Sequence, residues 1–302
     1  MLDPETTFKL IATNLPASVH DHVVIVGSIA AAYYHRQALG NRQVQTKDAD
    51  LVIQPAGDLA TCRTIAEQLL TARWRRRADC TPSATPTPQP STLLRTLRLH
   101  PPDSDAYYIE ILGLPSRKQH ESVRFEPLEL TDGWYGVPCF RYLSLVDFEQ
   151  PTSSAGLRYA APSMMALANL LSHPEVGTQR MSTELGGRKI LRSAKDLGRV
   201  LALARLEERA TTEAWADVWL RALRPRFPEE WPRLASRVGN GLNALLDNQD
   251  AFEEAHHAAA VVGLLSHLRM TLDELRAIAE QFLEDVVEPF RFRAAASAGS
   301  AS

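Results

Sequence analysis

The chain has 302 residues, 45% of them hydrophobic and 23% charged, which are ordinary globular values and exclude global disorder. Lys and Arg total 33 against 36 Asp and Glu, so the net charge of -3 excludes a basic footprint over the whole surface, while a local patch stays open. The three widely spaced cysteines, Cys62, Cys80 and Cys139, form neither a disulfide framework nor a zinc set, which fits a reducing cytosol.

At about 100–200 residues per domain, the length favours two domains. The first residues, MLDPETTFKLIATNL, carry acids early and lack the apolar core of a signal peptide. The longest apolar runs fall far below the roughly 18 residues of a membrane helix, so a cytoplasmic protein with no membrane partner is expected.

Phe8, Leu10, Ile11 and Leu15 mark a short amphipathic helix ending near Pro16. Val23 to Val26 is a continuous β-branched run, the signature of a strand buried on both faces. Gly27-Ser28 breaks it, and an Ala-rich helix is predicted from Ile29 to Leu39, stopped at Gly40-Asn41. A second strand runs from Ala49 to Ile53, and Asp58 can cap a helix reaching about Trp74. Residues 80–91, CTPSATPTPQPS, read as an exposed loop, because so many prolines cannot supply backbone donors. Leu93 to Leu99 and Tyr107 to Leu112 form an expected strand pair around the turn 100–105. Phe125 to Leu130 and Trp134 to Phe140 form another, joined at Asp132-Gly133.

From about Pro162 the periodicity is helical throughout. Helices are predicted at Ser163 to Leu171, Lys189 to Leu206, Thr212 to Leu223, Trp231 to Asp247, Phe252 to His267 and Leu272 to Val287. The division therefore reads 1–150 for a sheet domain, 151–291 for a helical domain and 292–302 for a disordered tail.

Chemistry concentrates in VVIVGSIAAAYYHRQALGNRQVQTKDADLVIQP. A Gly at a strand end lets the backbone approach a ligand, and the amides opening the next helix suit phosphate. The Ser28 hydroxyl can donate to a phosphate oxygen. Asp48 and Asp50 stand at i and i+2 of a strand, so they project to one face. Two adjacent carboxylates are costly unless a cation joins them, and Mg²⁺ (or Mn²⁺) prefers such hard oxygens together with substrate phosphates. Glu110, inside the strand Tyr107 to Leu112, is a third carboxylate if that strand lies beside Asp48 and Asp50; otherwise it is an outward edge residue. Arg73 to Arg77 is a compact basic cluster, read either as cations at a helix end or as a contact to an RNA backbone. His256-His257 and His267 lack further ligands at metal spacing and read as packing or solvated residues.

The order Val26-Gly27-Ser28, Asp48-Ala49-Asp50 and a later strand acid, Glu110, resembles the nucleotidyltransferase superfamily, the polymerase-beta-like fold. The resemblance implies an α/β (α+β) mixed sheet with flanking helices followed by a helical domain. It implies that Gly27 and Ser28 bind the phosphates of a nucleoside triphosphate, that Asp48 and Asp50 hold divalent metal, and that Glu110 joins them or acts as base. Arg188-Lys189 through Lys195-Asp196-Leu197 looks like the helix of AbiEii-type toxin nucleotidyltransferases. On that likeness Lys195 steadies the triphosphate, Lys189 is a second candidate and Asp196 orients the basic groups; as a bare sequence, Lys195-Asp196 is also an ordinary surface pair. The implied acceptor is a tRNA, protein or small-molecule hydroxyl, and an antitoxin-like protein is an implied partner. The alternative is a non-catalytic nucleotide- or partner-binding protein on the same fold.

Overall fold

The computed structural model describes residues 2–40, 42–83, 88, 94–115, 123–176 and 179–299. It divides into two compact units, Met1–Ala161 and Pro162–Ser302.

The first unit opens with α1 (Pro4–Asn14), where the Asp3 carboxylate accepts from the Thr6 amide at 2.7 Å and Pro4 pre-sets the first turn. A 3₁₀ segment, Ala17–His22, leads into β1 (Val23–Val26), buried along its whole length as the β-branched run predicts. Helix α2 (Gly27–Tyr34) follows directly. It ends before the expected Leu39, and the chain passes through turns to Gly40. Strand β2 (Asp48–Ile53) runs antiparallel to β1. Next comes α3 (Leu59–Thr71), with Asp58 capping it by accepting from the Thr61 amide at 3.0 Å.

The strands β3 (Arg75–Arg76), β4 (Arg98–His100) and β5 (Tyr108–Leu112) complete one side of the sheet. Then β6 (Val123–Leu130) and β7 (Gly133–Phe140) form the expected hairpin as a separate two-stranded sheet. Finally β8 (Arg158–Tyr159) returns to pair in parallel with β1. That return draws residues 151–161 into the first unit, so the compact boundary lies beyond the division read after Gln150.

The six-stranded sheet is mixed, in the order β3-β4-β5-β2-β1-β8. The β2–β5 pair is parallel, and β3–β4, β4–β5 and β1–β2 are antiparallel. An aromatic cluster ties α1 and α2 to β8: Phe8 stacks on Tyr33 at 4.2 Å, and Tyr159 meets both edge-on. Much of loop 80–91 lies outside the described residues.

The second unit is helical: α4 (Pro162–Val176), α5 (Arg192–Leu206), α6 (Arg209–Arg226), α7 (Trp231–Arg237), α8 (Asn240–Leu246), α9 (Gln249–His256), α10 (Leu272–Phe282) and α11 (Glu288–Gly299). Its core gathers Trp215, Trp219, Phe282 and Phe290, and the Trp219 indole donates to the Ser163 carbonyl at 2.9 Å.

Five expectations differ in detail. The helix read from Lys189 begins at Arg192, because Leu191 is bridged to Arg180 and its amide donates to the Glu254 carboxylate at 2.6 Å. The run Trp231 to Asp247 divides into α7 and α8 at Val238-Gly239, where Gly239 has φ of 89°. The runs starting at Phe252 and Leu272 pass from α into π turns, His257–Val261 and Leu283–Val287. Residues 292–299, read as a disordered tail, continue α11, since Phe290 and Ala294 are buried and the alanines that follow favour helix.

Among the described residues, no helix is long and apolar enough to cross a membrane.

Candidate functional site

Strict alternation builds the site. In β2, Ala49 and Leu51 are fully buried while Asp48 and Asp50 are half-exposed on the other face. In β5, Ile109 is buried while Tyr108 and Glu110 are half-exposed. In β4, Leu99 is buried while Arg98 and His100 are half-exposed. Register then sets these polar positions side by side. Asp48 pairs with Tyr108 and Asp50 with Glu110 across β2–β5, and Arg98 pairs with Glu110 across β4–β5. One hydrogen-bonded row therefore reads Arg98, Glu110, Asp50, Val26, with the Gly27-Ser28 turn immediately after Val26.

Gly27 is required at that turn for two reasons. Its φ of +76° lies in the left-handed region, and a Cβ placed there would come within 2.9 Å of Asp50 Oδ2. The Asp50 carboxylate thus lies over the glycine itself. Ser28 follows, half-exposed at the start of α2. Asp48 is fixed from its own strand entry: Thr46 Oγ1 donates to Asp48 Oδ1 at 2.6 Å.

Glu110 lies on the strand beside Asp50 and in register with it. Its Oε2 accepts from Arg98 Nε at 3.0 Å, with the Glu110 side chain only 14% exposed. Among the described residues, no three His, Cys, Asp or Glu side chains form a group that could hold a metal ion. The structure thus brings Asp48 and Asp50 to one face and sets Glu110 beside them, already engaged by a guanidinium. Asp48 and Asp50 suit a hard divalent cation by donor type, and the missing Gly27 side chain leaves room for the Asp50 oxygen.

Arg98 has a second partner, Asp79, with Nη1 to Oδ2 at 3.5 Å, and Arg77 Nε meets the same carboxylate at 3.1 Å. Burial works against the charge of the Arg98 guanidinium, but Glu110, Tyr108 and Asp79 outweigh it and hold the group above its ordinary range. The Tyr108 ring lies beneath both cations, 4.8 Å from Arg77 and 5.5 Å from Arg98. Burial, reinforced by Asp48, pushes its phenol up to about 12.

Arg98, Asp79 and Tyr108 were not singled out from the sequence, and Arg77 was read only as part of the basic cluster. Their signal was the expected strand pair around the turn 100–105, since antiparallel pairing across it sets Arg98 opposite Glu110. The basic cluster also changes meaning. Arg75 is bound to Asp105 at 2.8 Å, Arg76 to Asp132 at 2.9 Å and Arg77 to Asp79, so these cations staple strands and turns.

The remaining expected residues belong to the second unit. Lys189 is exposed ahead of α5, and its carbonyl accepts from Arg180. Lys195 and Asp196 are half-buried in the first turns of α5. Adjacent helical positions do not face each other, and Asp196 instead meets Arg199 at 4.0 Å, one turn on. His257 is buried, and its Nε2 lies 3.0 Å from the Leu185 carbonyl.

No family model matches the chain, and no curated protein matches it. Among solved structures the chain is similar to the Bradyrhizobium diazoefficiens CD-NTase CdnG in complex with GTP, at 14% identity over 94% of this chain and 95% of that one, with a TM-score of 0.23. That likeness is too slight to carry an assignment.

Proposed function

We propose that this chain is a metal-dependent nucleotidyltransferase that moves a nucleoside monophosphate from an NTP to an acceptor hydroxyl. The observation that carries this reading is the placement of Asp48 and Asp50 on one sheet face, with Asp50 Oδ2 over the bare Gly27 at the head of α2. A strand end, a glycine turn and paired carboxylates in that order are what a polyphosphate and its counter-ion need in common. Asp48 and Asp50 would hold Mg²⁺ (or Mn²⁺), which when bound offsets the charge of the transferring phosphate. Gly27 and Ser28 would bind the triphosphate through backbone amide and hydroxyl. The acceptor oxygen forms a bond to the α-phosphorus as the bond to pyrophosphate breaks, and Glu110 would take the hydroxyl proton or join the metal ligands. Lys195, with Lys189 and Asp196, would serve the phosphates as the toxin-type resemblance implies. The same resemblance supports a tRNA or protein acceptor and an antitoxin-like partner.

A second reading, a nucleotide-binding protein without transfer activity, is favoured by the Glu110–Arg98 pair, which leaves the third acid already bound. One experiment separates them. Mg²⁺ with an NTP should raise the melting temperature, pyrophosphate should be released in the presence of total tRNA or protein, and Asp48→Asn should abolish the release. Binding without release under any acceptor favours the second reading. No binding of any NTP at millimolar Mg²⁺ overturns both.

A further inference from the structure

Residues 179–192, ahead of α5, form a short hairpin rather than an open loop. The Met181 amide donates to the Ile190 carbonyl at 2.9 Å, and the Arg192 amide to the Gln179 carbonyl at 2.9 Å. At the tip, Leu185 and Arg188 exchange backbone bonds around Gly186-Gly187, whose φ values of 55° and 80° suit a two-residue type I′ turn. Three later residues lock the hairpin in place. The Glu254 carboxylate accepts from Arg180 Nη1 at 2.9 Å and from the Leu191 amide at 2.6 Å. His257 Nε2 meets the Leu185 carbonyl at 3.0 Å, and a Cβ on Gly186 would run into Val262. Ile190 is buried, while Ser182, Thr183, Glu184, Arg188 and Lys189 are exposed.

The charge on this element is one-sided. Residues 179–195 hold Arg180, Arg188, Lys189, Arg192 and Lys195 against a single acid, Glu184. Arg180 is neutralised by Glu254, and the next acid along the chain, Asp196, is met by Arg199. Among the described residues, Arg188, Lys189 and Lys195 have no ion-pair partner. The stretch contains no aromatic residue, and its Ile190 is turned into the core. A protein partner would want an exposed aromatic or aliphatic anchor here. Phosphate oxygens need only cations, hydroxyls and backbone amides, which is what the exposed side carries. We propose that this hairpin, with the first turn of α5, docks the phosphate backbone of a nucleic acid. Because the hairpin is already locked, its cations are presented with little ordering cost on binding. It supplies a local basic patch on a chain whose net charge of -3 excludes a basic surface overall. The docking needs neither metal nor NTP, so it stands or falls separately from nucleotidyl transfer.

The test is fluorescence anisotropy of labelled total tRNA, and of a labelled DNA duplex, titrated with the full chain in EDTA without NTP. Binding to at least one polymer should fall steeply between about 50 and 200 mM salt, and the tighter of the two names the polymer. Arg188→Gln combined with Lys189→Gln should weaken binding about tenfold at the lower salt and flatten the salt slope by about one to two. Arg205→Gln removes an exposed cation from the last turn of α5 and should leave binding nearly unchanged. Glu184→Lys should tighten binding several-fold. Equal losses in Arg205→Gln and the hairpin variant, or no binding of either polymer at micromolar protein, overturn the inference. Displacement of bound tRNA by polyglutamate as effectively as by unlabelled tRNA also overturns it, in favour of an acidic protein partner. Melting temperatures check that each variant folds. Should the double variant unfold, Glu184→Lys decides alone, and unchanged or weaker binding overturns the inference.

Discussion

Gly27→Ala is the sharpest perturbation of the candidate site, because the structure separates its two effects. The first is backbone strain. At φ of +76° an alanine pays the left-handed penalty of about 1–2 kcal/mol. For a unit of this size each kcal/mol lowers the melting temperature by about 2–4 °C. The second is contact. The new methyl would lie 2.9 Å from Asp50 Oδ2, closer than a real Cβ tolerates, so the carboxylate must move. A misplacement of about 1 Å at a reacting centre can cost about 10²-fold in rate. Gly156 supplies the control: its φ is +79°, and nothing lies within 4 Å of where its Cβ would be. Gly156→Ala should therefore show the strain alone, with Mn²⁺ affinity and pyrophosphate release intact. Gly27→Ala should show the same order of destabilisation and lose both metal affinity and turnover. The assay pairs thermal unfolding with Mn²⁺ titration and pyrophosphate release for the two variants. If Gly27→Ala and Gly156→Ala match in every readout, Asp50 does not depend on the bare glycine and the site is wrongly built.

Three other outcomes follow from the same structure. Trp219→Ala should cost about 3–5 kcal/mol in urea unfolding, because the fully buried indole leaves a cavity and its hydrogen bond to the Ser163 carbonyl is lost; a loss under 1 kcal/mol would mean that the aromatic core is not as packed as described. His35 is buried, and burial lowers its imidazole to about 4. Its folded value lies below the unfolded one near 6.5, so the unfolded chain binds the extra proton; stability is whole above about 6.5 and falls, on the order of 2–3 kcal/mol, as pH drops towards 4. His35→Gln should flatten that slope in denaturant titrations at stepped pH. Burial pushes the Cys62 and Cys139 thiols up to about 12, so both should resist a thiol reagent in the native protein and react only on unfolding, as read by absorbance.

Much of the site was legible because it rests on period two. Asp48 and Asp50 share a face for the same reason that Ala49 and Leu51 share the other, and that reason is visible in six letters. Gly27 was legible as a turn, but its contact with Asp50 was not, since it depends on the antiparallel register of β1 and β2. Arg98 was hidden more deeply. Its significance exists only once β4 and β5 are paired, and the sequence between them advertises a turn without fixing which residues face each other. The helix ends were misjudged where partners distant in sequence decide them. Glu254 supplies the acceptor at the start of α5, and no local signal announces a cap from so far away. The π turns escaped for a related reason: helical periodicity reports apolar spacing, and tertiary packing absorbs the extra residue.

The pairing of β2 with β5 also orders events in time. The β1–β2 antiparallel pair unites residues close along the chain, whereas the parallel partner that brings Glu110 arrives only after β3 and β4 have been made. Loop closure over that separation is slow relative to local pairing. A chain synthesised as far as Ile53 already contains both aspartates, with neither the third acid nor its arginine yet made. The same translation step that delivers Arg98 precedes the one that delivers Glu110, so the counter-ion is in place before the carboxylate it will hold.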